Sequence, residues 1–71
     1  MNWFVVTGRV AFDDEDTVEI VQCERDVKVA KKLFTDILRT GRDPKPKRED
    51  IYVIAVIDCG DHQPQVVEYT P

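Results

Sequence analysis

A small α+β fold with element order β-β-α-β-β is predicted by three patterns in this 71-residue chain. Apolar residues alternate between Trp3 and Gln22, a single apolar stripe runs from Val29 to Leu38, and Ile51 to Ile57 is apolar throughout. The first pattern has the period of a strand, the second that of a helix, and the third suits a buried central strand.

Phe4, Val6, Gly8, Val10 and Phe12 share one parity; Trp3, Val5, Thr7, Arg9 and Ala11 share the other. Gly8 marks a bulge or a close backbone approach. Asp13-Asp14-Glu15-Asp16 then breaks the alternation and Thr17 to Gln22 resumes it, so residues 3–23 read as a β-hairpin with an acidic tip. Pairing Phe12 with Val18 and Val10 with Ile20 gathers all four with Phe4 and Val6 on one face. A register shifted by one residue brings Glu19 there, so burial is expected to select the first pairing.

Asp26 suits an N-cap, because its carboxylate accepts orphan amides of a first turn. Val29, Ala30, Leu33, Phe34, Ile37 and Leu38 draw one stripe along a helix of about residues 26–40. Gly41 is expected to take the left-handed C′ conformation, and Pro44 keeps the helix from resuming. Residues 41–50 form a loop. Residues 51–57 and 65–70 supply the third and fourth strands, separated by a polar turn over 58–64. The first and third strands are the most apolar and belong at the centre, which gives sheet order 2-1-3-4 with antiparallel neighbours. No repeat or low-complexity segment interrupts what reads as a single α+β domain over residues 1–71.

Composition narrows the function classes. With 42% hydrophobic and 34% charged residues the chain is not a disordered tail. A net charge of −4 disfavours a general nucleic-acid binder. The longest apolar run is too short to span a bilayer, so no membrane association is expected. Met1-Asn2 leads straight into Trp3-Phe4-Val5-Val6 without a charged-then-apolar signal, and a cytoplasmic address is the expectation.

Little of the sequence points to chemistry. Cys23 and Cys59 are expected to be free thiols in a reducing compartment. Cys59 and His62 have ligand-like spacing that Cys23, Asp58 or Asp61 would have to complete, but no C-x-x-C pair is present and residues 58–64 read as a turn. A Cys59–His62 nucleophile would need an orienting third group and a lowered thiol pKa, neither of which is legible. The expectation is therefore a non-enzymatic protein with no catalytic residue, metal, cofactor or small-molecule substrate.

Surface character is more informative. A helix of about 15 residues is roughly 22 Å long and covers one side of a four-stranded sheet. Its stripe is expected to pack on Phe4, Val6, Val10, Phe12, Val18 and Ile20. The other face would carry Trp3, Val5, Ala11, Val21 and one parity of the third strand, either Ile51, Val53, Ala55 and Ile57 or Tyr52, Ile54 and Val56. Trp3, Val5, Val21, Tyr52, Ile54 and Val56 are taken as the candidate contact set, since an uncovered apolar face usually marks an interface. The partner would be a second copy or another protein.

Charge is segregated along the chain. Six carboxylates and no basic residue lie between Val10 and Glu24, while five basic residues and one acidic lie between Arg39 and Arg48. The tip Asp13, Asp14, Glu15 and Asp16 lacks the alternate ligand spacing of a calcium loop and is read as solvated, or as a mimic of nucleic-acid phosphates in an inhibitor. Arg39, Arg42, Lys45, Lys47 and Arg48 could contact an anionic partner or a nucleic-acid backbone, although no aromatic residues are interleaved for stacking. The leading functional expectation is an interaction module that self-associates through its helix-free face. The inhibitor with an acidic tip and the nucleic-acid accessory protein with a basic loop stand as alternatives.

Overall fold

The alternating and 3.6-period patterns of the sequence become the elements they predict. The computed structural model describes residues 2–13, 15–60 and 63–70. Strands β1 (Asn2–Val10) and β2 (Thr17–Cys23) precede helix α1 (Val27–Thr40), followed by β3 (Ile51–Asp58) and β4 (Gln65–Tyr69). The four strands form one open antiparallel sheet in the order β2-β1-β3-β4, with α1 across one face.

Helix α1 starts where Asp26, in extended conformation, accepts the Lys28 N–H on its carboxylate at 2.9 Å. Ala30, Phe34 and Leu38 are its buried positions, packed with Phe4, Val6, Val10, Val21, Cys23 and Val56; Val27 and Leu33 flank this core. Gly41 does not take the left-handed conformation. Its φ is −89° and ψ 5°, and its N–H still reaches the Ile37 carbonyl at 3.3 Å, so the chain leaves the helix without reversing hand. The Thr40 hydroxyl also donates back to the Asp36 carbonyl, one turn earlier, at 2.7 Å. Within the loop after α1, Arg48–Asp50 forms one 3-10 turn.

The hairpin register differs from the expected one. Phe4 pairs with Val21, Val6 with Glu19 and Asn2 with Cys23. Strand β1 stops at Val10, and Ala11 turns away to donate its N–H to the Asp50 carbonyl at 2.8 Å, leaving Phe12 81% exposed. Phe12 therefore never pairs with Val18, and Phe12, Val18 and Ile20 are not under the helix. What the helix gains instead is Val21 and Cys23, at the end of β2 from which α1 departs. Glu19 is tolerated on the helix side because β2 is an edge strand, where a carboxylate still reaches water.

Gly8 sits at a shift in the β1–β3 register: Thr7 pairs with Ala55, but Gly8 pairs with Val53. The extra residue is Ile54. This bulge exchanges the parity of β3 midway. Ile51 and Val53, then Val56 and Asp58, lie on the helix side; Tyr52, then Ala55 and Ile57, lie on the other. Neither of the two expected parities holds along the whole strand. Residues 51–57 are apolar at both parities, so the polar residue the switch brings to the helix side is Asp58, buried at the strand end.

Candidate interaction face

Strand alternation delivers residues from all four strands to the helix-free side, where the register aligns them in rows. Ile20, Val5, Ile57 and Val66 are successive cross-strand partners and form one aliphatic row. Val18, Thr7, Ala55 and Tyr69 form the row beside it. Trp3 with Gln22 closes one end, and Arg9 with Tyr52 the other. Ile20 and Val66 are each 63% exposed and Tyr69 is 64% exposed, with Trp3, Val18 and Tyr52 also exposed. Neither central row holds a charged side chain. Arg9, at the margin, is tied to Asp16 by an ion pair of 2.7 Å.

Of the residues expected here, Trp3, Val5 and Tyr52 are on this face. Val21 (4% exposed) and Val56 (0%) are instead core residues beneath α1, displaced from the expected face by the hairpin register and the β3 bulge respectively. Ile54, the bulge residue, is half-buried and borders a groove of about 690 Å³ between α1 and β3, with Lys31, Thr35 and Tyr52. Sequence reasoning missed Val18, Ile20, Val66 and Tyr69; Ala55 and Ile57 belonged to the one of the two offered parities that was not taken into the candidate set. The signal for Val18 and Ile20 was the position of α1 immediately after β2, which requires the Cys23 end of that strand to lie under the helix.

The two charged segments, separate in sequence, meet in space. The Arg42 guanidinium lies 3.0 Å from the Asp13 carboxylate, and Asp13 also accepts the Glu15 N–H at 3.0 Å. These contacts, the Glu15 amide first and then Arg42, hold the Asp13 carboxyl below its ordinary pKa. Arg48 reaches Asp36 at 3.2 Å, and Arg39 donates to the Pro46 carbonyl at 3.1 Å. Lys32 and then Arg48 hold the Asp36 carboxyl below its ordinary value as well. Lys45 and Lys47 are exposed and line a cleft of about 470 Å³ with Phe12, Pro44, Asp13 and Arg42. Charges segregated along the chain are thus paired locally in the fold. Asp14 lies outside the described residues.

Cys23 and Cys59 are free. Burial pushes the Cys23 thiol pKa up, with the nearby Asp26 and Glu24 adding to the effect. The buried Asp58 carboxylate accepts from Gly60 N–H at 3.0 Å, Arg25 at 3.2 Å and Asn2 at 3.3 Å, a set that fastens the turn after β3 to the start of β1. Asp61 and His62 lie outside the described residues, and with them the pairing of Cys59 and His62. Among the described residues no group of three His, Cys, Asp or Glu side chains is placed to hold a metal ion. No described helix is long and apolar enough to cross a membrane. Comparison of the chain with protein-family models, curated proteins and solved structures gives no match in any of the three.

Proposed function

We propose that this chain is a small non-enzymatic interaction protein that self-associates by closing its helix-free sheet face on the same face of a second copy. The observation that carries the reading is the pair of uncharged cross-strand rows centred on Val5, Ile57, Thr7 and Ala55. An antiparallel sheet with one face in water ordinarily alternates to polar residues there; this one does not. Four strands of this length present on the order of 400 Å² in projection, beyond a scatter of single apolar residues. Two copies of net charge −4 repel each other overall, and the uncharged face is surface on which they meet without setting like charges directly opposite one another.

The test is absolute mass by light scattering behind size exclusion over a wide concentration range. The parent chain is expected well above 8.2 kDa, and a Trp3→Glu/Tyr69→Glu variant with an unchanged circular dichroism spectrum at a lower mass. A parent mass of one chain at every concentration, or a variant mass equal to the parent's, overturns the reading. The acidic tip as a nucleic-acid mimic draws less support, because Asp13 and Asp16 are already engaged by Arg42 and Arg9. The basic loop is weakened likewise, with Arg42 and Arg48 committed to carboxylates of the same chain.

A further inference from the structure

The two edges of the sheet are unlike. Strand β4 is five residues long, follows Pro64 and pairs with β3 through a register shift between Val56 and Ile57. Shortness, an adjacent proline and irregular pairing are devices that discourage an edge from recruiting another strand. Strand β2 has none of them. It is seven residues long, pairs with β1 without a register shift and contains no lysine or proline.

Beside this open edge, α1 carries a second unexplained feature. Val29, Leu33 and Ile37, at i, i+4 and i+8, form a flank of the helix next to the core stripe. Val29 is 39% exposed and Ile37 41% exposed, and Ile37 borders a groove with Thr17 and Glu19 of β2. The wall of the molecule at β2 is therefore layered: an apolar helix flank, an unpaired strand edge, then Val18 and Ile20.

We infer that β2 is a homodimerisation edge, where β2 of a second copy pairs antiparallel to make a continuous eight-stranded sheet with two helices side by side. The wall is self-complementary about one axis. A two-fold through Ile20 sets Ile20 opposite itself, Glu19 opposite Val21 and Val18 opposite Gln22, so no charge faces its like within the strand; Asp16 and Glu24 come opposite each other only at its exposed ends. The same axis centres the helices. Ile37 stands beside Thr17 and Glu19, and the helix rises about 6 Å back to Leu33, the length of roughly two strand residues. Leu33 is thus level with Ile20, and Val29 of each copy meets Ile37 of the other. A wall about 23 Å long, taken with the 15 Å smallest extent of the molecule, gives on the order of 700 Å² in projection over two copies, the size of a weak, reversible interface, to which the strand hydrogen bonds add. This contact shares Val18 and Ile20 with the margin of the sheet-face contact, but its strand edge and helix flank are separate surface and it does not depend on that contact.

Two measurements test it. Val29→Glu/Ile37→Glu changes exposed positions only, and with its circular dichroism retained it is expected to halve the mass of the parent or weaken self-association at least tenfold. The Trp3→Glu/Tyr69→Glu variant should keep the edge dimer. If Val29→Glu/Ile37→Glu retains the parent mass while the face variant loses it, the edge contact is wrong and the face contact stands; the reverse pattern removes the face contact alone. The second measurement needs no substitution. Amide hydrogen exchange in Thr17–Cys23 should slow as concentration rises, while exchange in Gln65–Tyr69 does not follow it. Exchange in β2 that is independent of concentration overturns the inference.

Discussion

Gly8 shows how one residue sets the distance between helix and sheet. A Cβ built there would lie 2.7 and 2.8 Å from two carbons of the Phe34 ring and would also run into the Tyr52 carbonyl. Neither neighbour can yield cheaply, since Phe34 is fully buried and Tyr52 belongs to the backbone of a central strand. Gly8→Ala is expected to destabilise the fold by about 1–3 kcal/mol, the usual penalty of overpacking. The urea midpoint of unfolding checks it, and an unchanged midpoint would mean that Phe34 has another place to go. The sequence already marked Gly8 as a bulge or a close approach; it is both, because the glycine that admits Phe34 also sits at the register shift. Glu19 carries the opposite lesson. Its charge argued for a register that kept it out of the helix side, yet an edge strand lets a carboxylate share that side with the core and remain hydrated.

Among the elements, α1 was the most legible because its signals are local. A capping carboxylate and a 3.6-period stripe act over a few residues, and both are realised between Asp26 and Thr40. Asp26→Ala should cost about 1 kcal/mol, the usual loss on removing such a cap, while Asp26→Asn should stay within a few tenths. Equal urea midpoints for Asp26→Ala and the parent would show that the bond to Lys28 contributes nothing. The strands were legible in existence and order but not in register, because pairing depends on contacts distant in sequence. Alternation in β1 and β2 allows two faces, and the choice between them rests on where α1 begins. In β3 both parities are apolar, so periodicity carries no facing information, and the bulge at Ile54 is signalled only by Gly8 on the neighbouring strand. The candidate face was accordingly half read: Trp3, Val5 and Tyr52 followed from alternation, whereas Val21 and Val56 went to the core and Ile20, Val66 and Tyr69 took the exposed positions.

At the scale of the whole molecule, the charges are arranged as short-range clamps. Arg42–Asp13 ties the loop after α1 to the hairpin tip, Arg48–Asp36 ties the same loop back to the helix, and Lys31–Glu68 joins the helix to β4. These pairs meet water and screen readily, so each is a modest contribution. Their pH dependence nevertheless has a definite sign. The Asp13 and Asp36 carboxyls are held below their ordinary value by partners that exist only in the folded chain, so the unfolded chain takes up protons first as pH falls. The stability they contribute is fully present above the unfolded carboxylate pKa near 4 and is lost as pH drops through the lower folded values. The urea midpoint should therefore hold between about pH 7 and 5 and decline below about pH 4. A variant with both Asp13→Asn and Asp36→Asn should begin lower at neutral pH and decline less steeply, converging on the parent in acid. If the two acid limbs run parallel, the clamps of the loop are not what acid releases, and the loss must be sought at the other carboxylates of the chain.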